Sequence, residues 1–93
     1  VLLEEIIRLQ AESNYTHIFL SGGKTFVSAK TLKEYDEVLR EHRFLRVHKS
    51  HMVNPAHVES YDKQGQLLMS DGSVVEVSRR KKEFLQRSLS GKG

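Results

Sequence analysis

Arg46, His48, Lys49, Ser50 and His51 stand together in the chain, and Arg79-Arg80-Lys81-Lys82 form a second cationic run. These side-chain types allow three kinds of chemistry: metal ligation by imidazoles, nucleophilic catalysis by a serine beside a histidine, and anion binding by Lys and Arg. Metal ligation is poorly served. A zinc site wants three or four ligands of fixed geometry with supporting hydrogen bonds. His48 and His51 are spaced i, i+3 and His57 follows, but there is no H-x-x-x-H pair and no Cys in the chain. Nucleophilic catalysis is no better supported. Ser50 has His48 and His51 beside it, a neighbourhood common by chance, and no G-x-S-x-G motif is present. Gly22-Gly23 lacks the G-x-G-x-x-G and Walker A patterns and reads as a turn. The sequence is therefore read as non-enzymatic, with no metal and no cofactor.

Anion binding remains. Lys plus Arg number 15 against 12 Asp plus Glu, a net charge of +3 that permits an anionic partner without demanding one. The charge is uneven. Arg40 to His51 holds four Lys or Arg against Glu41, and Arg79 to Arg87 holds five against Glu83. Glu59 to Glu76 holds four acids and one base, Lys63. Such a chain offers one face to an anion and another to solvent or a partner. A helix starting at Arg79 would crowd positive charge at the positive end of its dipole, each charge costing ~0.3–1 kcal/mol at an exposed site before screening. Phosphates would relieve that repulsion; a solvated first turn would tolerate it. Nucleic acid asks for Lys and Arg at phosphates and for Arg, Lys or Asn at base edges. Arg46, His48, Lys49, Ser50 and Arg79 to Lys82 supply these types, and Asn14 with Tyr15-Thr16-His17 adds polar groups on a loop and strand start. Aromatics are 8% of the chain, with no run for stacking single strands, which favours duplex DNA over RNA. A protein-interaction module whose basic face docks an acidic partner is the competing reading.

The elements that must position these residues are mostly short strands. Ile7, Leu9 and Ala11 alternate with Arg8 and Gln10, and Glu12-Ser13-Asn14 is a loop. Tyr15 to Leu20 is rich in aromatic and β-branched residues, with Tyr15 expected in the core. Ser21-Gly22-Gly23 turns the chain into a return strand, Lys24 to Ala29. The period then changes: Leu32, Tyr35, Val38 and Leu39 predict a helix over 32–41, with Thr31 and Glu34 as a capping box. Residues 44–57 fit no clean template, although Phe44, Val47, Met52 and Val53 are core candidates and Asn54-Pro55 marks a turn or helix start. Val58 to Tyr61 predicts a strand and Asp62 to Gly65 a turn. Leu67 to Ser70 and Ser73 to Val77 predict a hairpin around Asp71-Gly72. Ser78 can cap a terminal helix with an apolar stripe of Phe84, Leu85 and Leu89.

With 93 residues the chain is expected to be one domain over 1–93 with a thin core and a frayed tail at 90–93. Its start at Val1 without Met suggests an excised domain. No apolar run reaches the ~18–20 residues of a membrane span and no signal peptide opens the chain, so a cytoplasmic location is expected.

The string Phe44-Leu45-Arg46-Val47-His48-Lys49-Ser50-His51-Met52-Val53-Asn54 resembles the central signature of the LytTR-type DNA-binding domain, F-x-R-[VI]-H-[KR]-S-x-x-V-N. Ala11 to Thr16 resembles the family's A-x-x-x-Y-[TV] segment, Thr31 to Glu34 its T-L-K-E helix start, and Val77 to Arg80 its closing V-S-R-[RK] motif. The resemblance covers about residues 4–89 in the right order. It implies a mainly β fold of short antiparallel strands in small sheets, one short central helix and a C-terminal helix. It also implies duplex DNA as partner, with loops entering successive major grooves, and two protomers, monomeric alone, paired on direct repeats. Family members typically follow a phosphorylatable receiver domain as effectors of bacterial two-component systems that regulate transcription.

By the same resemblance, Asn14, Lys49 and Arg79 take the principal DNA-contacting positions, Lys49 at a phosphate or a guanine edge and Arg79 at a base. Arg46, His48, Ser50 and Arg80 are second-rank contacts, and Thr16 and His17 lie near Asn14. His48 is equally suited to holding its loop, and Asn54 is read as a turn or cap residue rather than a DNA contact.

Overall fold

The computed structural model describes residues 2–90; within the last helix it describes the side chains of residues 79–83 and of Leu85. Residues 91–93 of the expected tail, and the Phe84 and Leu89 side chains of the expected stripe, lie outside the described residues; Ser90 is the last residue of that helix.

β1 (Ile6–Glu12), β2 (Tyr15–Leu20) and β3 (Lys24–Ser28) form a meander, followed by helix α1 (Leu32–Leu39). β4 (Leu45–His48) and β5 (His51–Val53) form a second hairpin. β6 (Val58–Tyr61), β7 (Gln66–Met69) and β8 (Val74–Glu76) form another meander, and α2 (Arg79–Ser90) closes the chain. Five strands make one sheet in the order β3-β2-β1-β5-β4, and β6-β7-β8 make the other, all pairs antiparallel. The expected mainly β architecture with two helices is what is found.

The large sheet is covered on both faces and serves two cores. Adjacent Ile6 and Ile7 are both buried, in different clusters, and the β1–β2 register shifts between Ile6 and Arg8. Neighbours on a strand face opposite ways by the ordinary pleat; the bulge is what puts Ile6 on the same side as Leu9, three positions on. Ile6, Leu9, Ile18, Leu20 and Met52 pack with Leu32 and Leu39 of α1 and with Phe44. Ile7, Val47 and Val53 pack instead with Leu67, Met69 and Val75 of the small sheet and with Leu85 of α2. Each fully buried side chain of this size contributes ~1.5–3 kcal/mol relative to exposure.

β2 corrects one expectation. Its inward residues are Thr16, Ile18 and Leu20, whereas Tyr15 is 53% exposed. Apolar character on both faces of Tyr15 to Leu20 conceals which parity points inward; pairing with β1 decides it.

α1 begins as the capping box requires. The Thr31 hydroxyl accepts from the Glu34 N–H, and the Glu34 carboxylate accepts from the Thr31 N–H at 2.7 Å. The helix ends two residues short of the expected 41. It tightens into a 3-10 turn over Arg40–His42, and Arg43 at φ 69° lets the Phe44 N–H reach the Leu39 carbonyl. Asn54 is buried as a cap. Its side-chain oxygen accepts from the Ala56 N–H, and its amide donates to the Ile6 carbonyl at 2.9 Å.

Candidate nucleic-acid interface

The β4–β5 connection is a two-residue turn, Lys49-Ser50, and its conformation is held from three sides. The Ser50 N–H donates to His48 Nδ1 at 3.1 Å. The Ala11 N–H of β1 donates to the Ser50 carbonyl at 2.8 Å. Arg46 donates from Nε to the His48 carbonyl and from Nη2 to the Lys49 carbonyl, at 3.2 and 2.7 Å. Lys49 itself projects, exposed, from the tip.

The second basic run arrives beside this turn through the backbone. The Ser78 N–H donates to the Val47 carbonyl, and the Ser78 carbonyl accepts from the N–H groups of Lys81 and Lys82, opening the first turn of α2. Arg79 and Arg80 are exposed there. Between the two segments lies an open concavity of about 400 Å³, lined by Arg46, His48 and Lys49 on one side and Ser78 to Lys81 on the other. Five of the lining residues are Lys or Arg and none is acidic. The positive end of the α2 dipole adds to this field. Lys82, the fourth member of the run, is not among the lining residues. A Cβ on Gly65, which sits at φ 89° in the β6–β7 turn, would collide with the Lys82 side chain, so that stem packs over Gly65.

The expected site residues therefore divide. Lys49, Arg79 and Arg80 are exposed cations on one concave surface. His48 lines it too, but its Nδ1 is occupied by the turn; it acts as a structural histidine whatever else it touches. Arg46 lines it with a side chain only 25% exposed and bonded to two turn carbonyls and to Asp36. Ser50 is half-buried in the turn. Asn14 is exposed in the β1–β2 turn; since Gln10 pairs with His51, that turn extends from the same end of the sheet as Lys49 but outside the concavity. His17 is half-buried, its Nε2 3.3 Å from Glu12 Oε1. Thr16 is corrected: it is 0% exposed, its hydroxyl donates to the Lys30 carbonyl at 2.8 Å, and it offers no surface to a ligand.

Sequence reasoning missed Asp36, a buried acid that receives Arg46. A signal was present: Leu32, Asp36 and Leu39 share one face of α1 by helical spacing, placing a carboxylate among core positions. Burial opposes its ionisation, but hydrogen bonds and attraction from Arg40, then Arg46, outweigh that and hold its pKa below the ordinary carboxylate value.

His51 lies behind the turn, its ring 5.2 Å from that of His48 and its Nδ1 buried without a partner among the described residues. Burial first, then repulsion from His48 and Arg8, lowers its pKa against an opposing pull from Glu76. Among the described residues no group of three or more His, Asp or Glu is placed to hold a metal ion, and no helix is long and apolar enough to cross a membrane.

The chain is similar to known proteins in sequence and in fold. The family model of the LytTr DNA-binding domain matches residues 1–90. The CO-responsive transcriptional regulator RcoM of Rhodospirillum rubrum is 34% identical over 79 residues, a match covering 80% of this chain and 33% of RcoM. The chain thus spans about a third of the length of that curated relative. A solved LytTr DNA-binding domain, from a Bacillus cereus protein assigned as a methyl-accepting/DNA response regulator, superposes with a TM-score of 0.82 at 26% identity. That match covers 96% of this chain and 84% of the solved one.

Proposed function

The chain belongs to the LytTr DNA-binding domain family, and on that footing we propose that it binds double-stranded DNA sequence-specifically, as the output domain of a bacterial transcriptional regulator. The observation that carries this reading is the acid-free concavity between the Lys49 turn and the first turn of α2. Two cationic segments remote in sequence converge on one surface, and the field between them suits a phosphate backbone.

In this mechanism nothing is made or broken. Lys49, Arg80 and Lys81 neutralise phosphates and release counterions, so affinity falls steeply with salt. Arg79 reads a base edge, for which a guanidinium offers two parallel donors to guanine. Asn14, on the neighbouring turn, reads a second position. The Lys49 turn and the β1–β2 turn enter successive major grooves as loops, in place of a recognition helix. Two protomers, monomeric in free solution, occupy direct repeats. In the full protein, a receiver domain N-terminal to this one supplies the input, and the regulator works in the cytoplasm. No metal or cofactor takes part.

Selection from a random duplex library, using the 93-residue chain, tests this. Enrichment of a tandem-repeat motif supports the proposal and gives the register of contacts. Recovery of unrelated sequences, all bound with the same salt-sensitive affinity, supports the protein-interaction alternative instead.

A further inference from the structure

Asp36 is the one buried carboxylate among the described residues, and its placement has a consequence for the turn described above. Its oxygens accept from Arg40 at 3.4 and 3.0 Å and from Arg46 Nη1 at 3.2 Å. The two arginines differ. The Arg40 side chain is 72% exposed and directs its hydrogen bonds to Asp36, whereas that of Arg46 is 25% exposed and continues to the His48 and Lys49 carbonyls. A continuous line of hydrogen bonds thus runs from α1, through Asp36 and Arg46, to the backbone carrying Lys49. The β4–β5 register shifts between Arg46 and His48, so a donor from outside the strand ladder holds the carbonyls at this irregularity. Only a planar fork can reach a carboxylate and two carbonyls at once; an ammonium on a flexible stem cannot reproduce it.

We infer that Asp36 and Arg46 are positioning residues that fix the conformation of the Lys49 turn and thereby set how well this surface discriminates between DNA sequences. The inference rests on the DNA-binding reading for its second half only. It separates Arg46 from the phosphate contacts that its charge and its place in the concavity suggest. It also gives an acid a favourable part in binding a polyanion, opposite to the effect of its charge.

Three variants test it: Asp36→Asn, Arg46→Lys and, as control, Arg40→Ala, which removes an Asp36 ion pair without touching the turn. Two readouts are taken on variants that retain the wild-type amide spectrum away from the turn. The first, without DNA, is the exchange rate of the Ser50 amide proton. The second is affinity for the enriched and a scrambled duplex across a salt series. Asp36→Asn and Arg46→Lys should each speed Ser50 exchange at least about tenfold and reduce the enriched-to-scrambled affinity ratio by about tenfold. For Asp36→Asn, affinity for the scrambled duplex should hold or rise, since a negative charge is gone. Arg40→Ala should leave exchange and ratio unchanged. Wild-type Ser50 exchange and ratio in Asp36→Asn, or in Arg46→Lys, would overturn the inference. A wild-type chain that binds both duplexes alike overturns the DNA reading and with it the role in discrimination, while Ser50 exchange still decides whether the brace holds the turn.

Discussion

The backbone N–H of Ser78 donates to the carbonyl of Val47 across 2.8 Å, tying the start of α2 to the middle of β4. Val47 is itself fully buried, packed in the same cluster as Leu85 of α2. One core residue therefore anchors both cationic segments, and Arg79 opens beside the turn that carries Lys49. Apolar packing and this backbone bond hold the cations of the concavity together, and none of its lining residues is acidic, an arrangement suited to an external anion.

Arg79→Ala should lower affinity for the enriched duplex by ~1–3 kcal/mol and relax preference at one base position. Titration against a panel of single-base variants of that duplex checks this. Unchanged curves across the panel would remove Arg79 from the site.

Lys49→Ala should behave differently. As a point charge at an exposed turn tip, Lys49 is expected to meet phosphate, so every duplex should bind more weakly and the salt slope should fall by about 0.9. A loss confined to one base position, with the slope retained, would place Lys49 at a base edge.

Thr16→Val should affect stability and not recognition. The buried hydroxyl donates to the Lys30 carbonyl, a bond worth ~0.5–1.5 kcal/mol. Urea denaturation should show that loss, while the folded variant should bind the enriched duplex as the wild type does. Weakened binding by the fully folded variant would return Thr16 to the interface.

Stability should decline on mild acidification through His51. Its pKa in the fold lies below the ordinary 6.5, so the unfolded chain binds the proton more readily. The neutral ring's advantage is complete above that value and is lost as pH falls below 6.5 towards the depressed folded pKa. Asp36 and Asp71, whose pKa values lie below the ordinary 3.8, act only in more acid solution. Urea midpoints at several pH values should therefore show a decline below 6.5 that His51→Gln reduces. An identical decline in that variant would assign it to other groups.

Much of this was legible in the sequence. The Thr31–Glu34 box, the Asp71-Gly72 hairpin and the strand over Val58 to Tyr61 announce themselves through local chemistry, and local hydrogen bonds then form them. Residues 44–57 resisted because the bulge at Arg46 and His48 breaks period 2 and because polar Asn54 is buried. For the site, residue types were legible and roles were not. Arg46 and His48 look like ligand contacts until their partners, Asp36 ten positions earlier and the Ser50 N–H, are known. Thr16 looks like a surface hydroxyl until the parity of β2 is known, and parity is set by pairing with β1. Only tertiary structure supplies the Val47–Ser78 bond that brings the two basic runs together.

The most direct measurement is the ratio of dissociation constants for the enriched duplex and a scrambled one of equal length and composition, at two salt concentrations. Sequence-specific binding predicts a ratio of about a thousand or more, with scrambled-duplex affinity falling steeply as salt rises. Equal affinities at both salt concentrations would contradict it and leave a basic surface that meets DNA only through its charge.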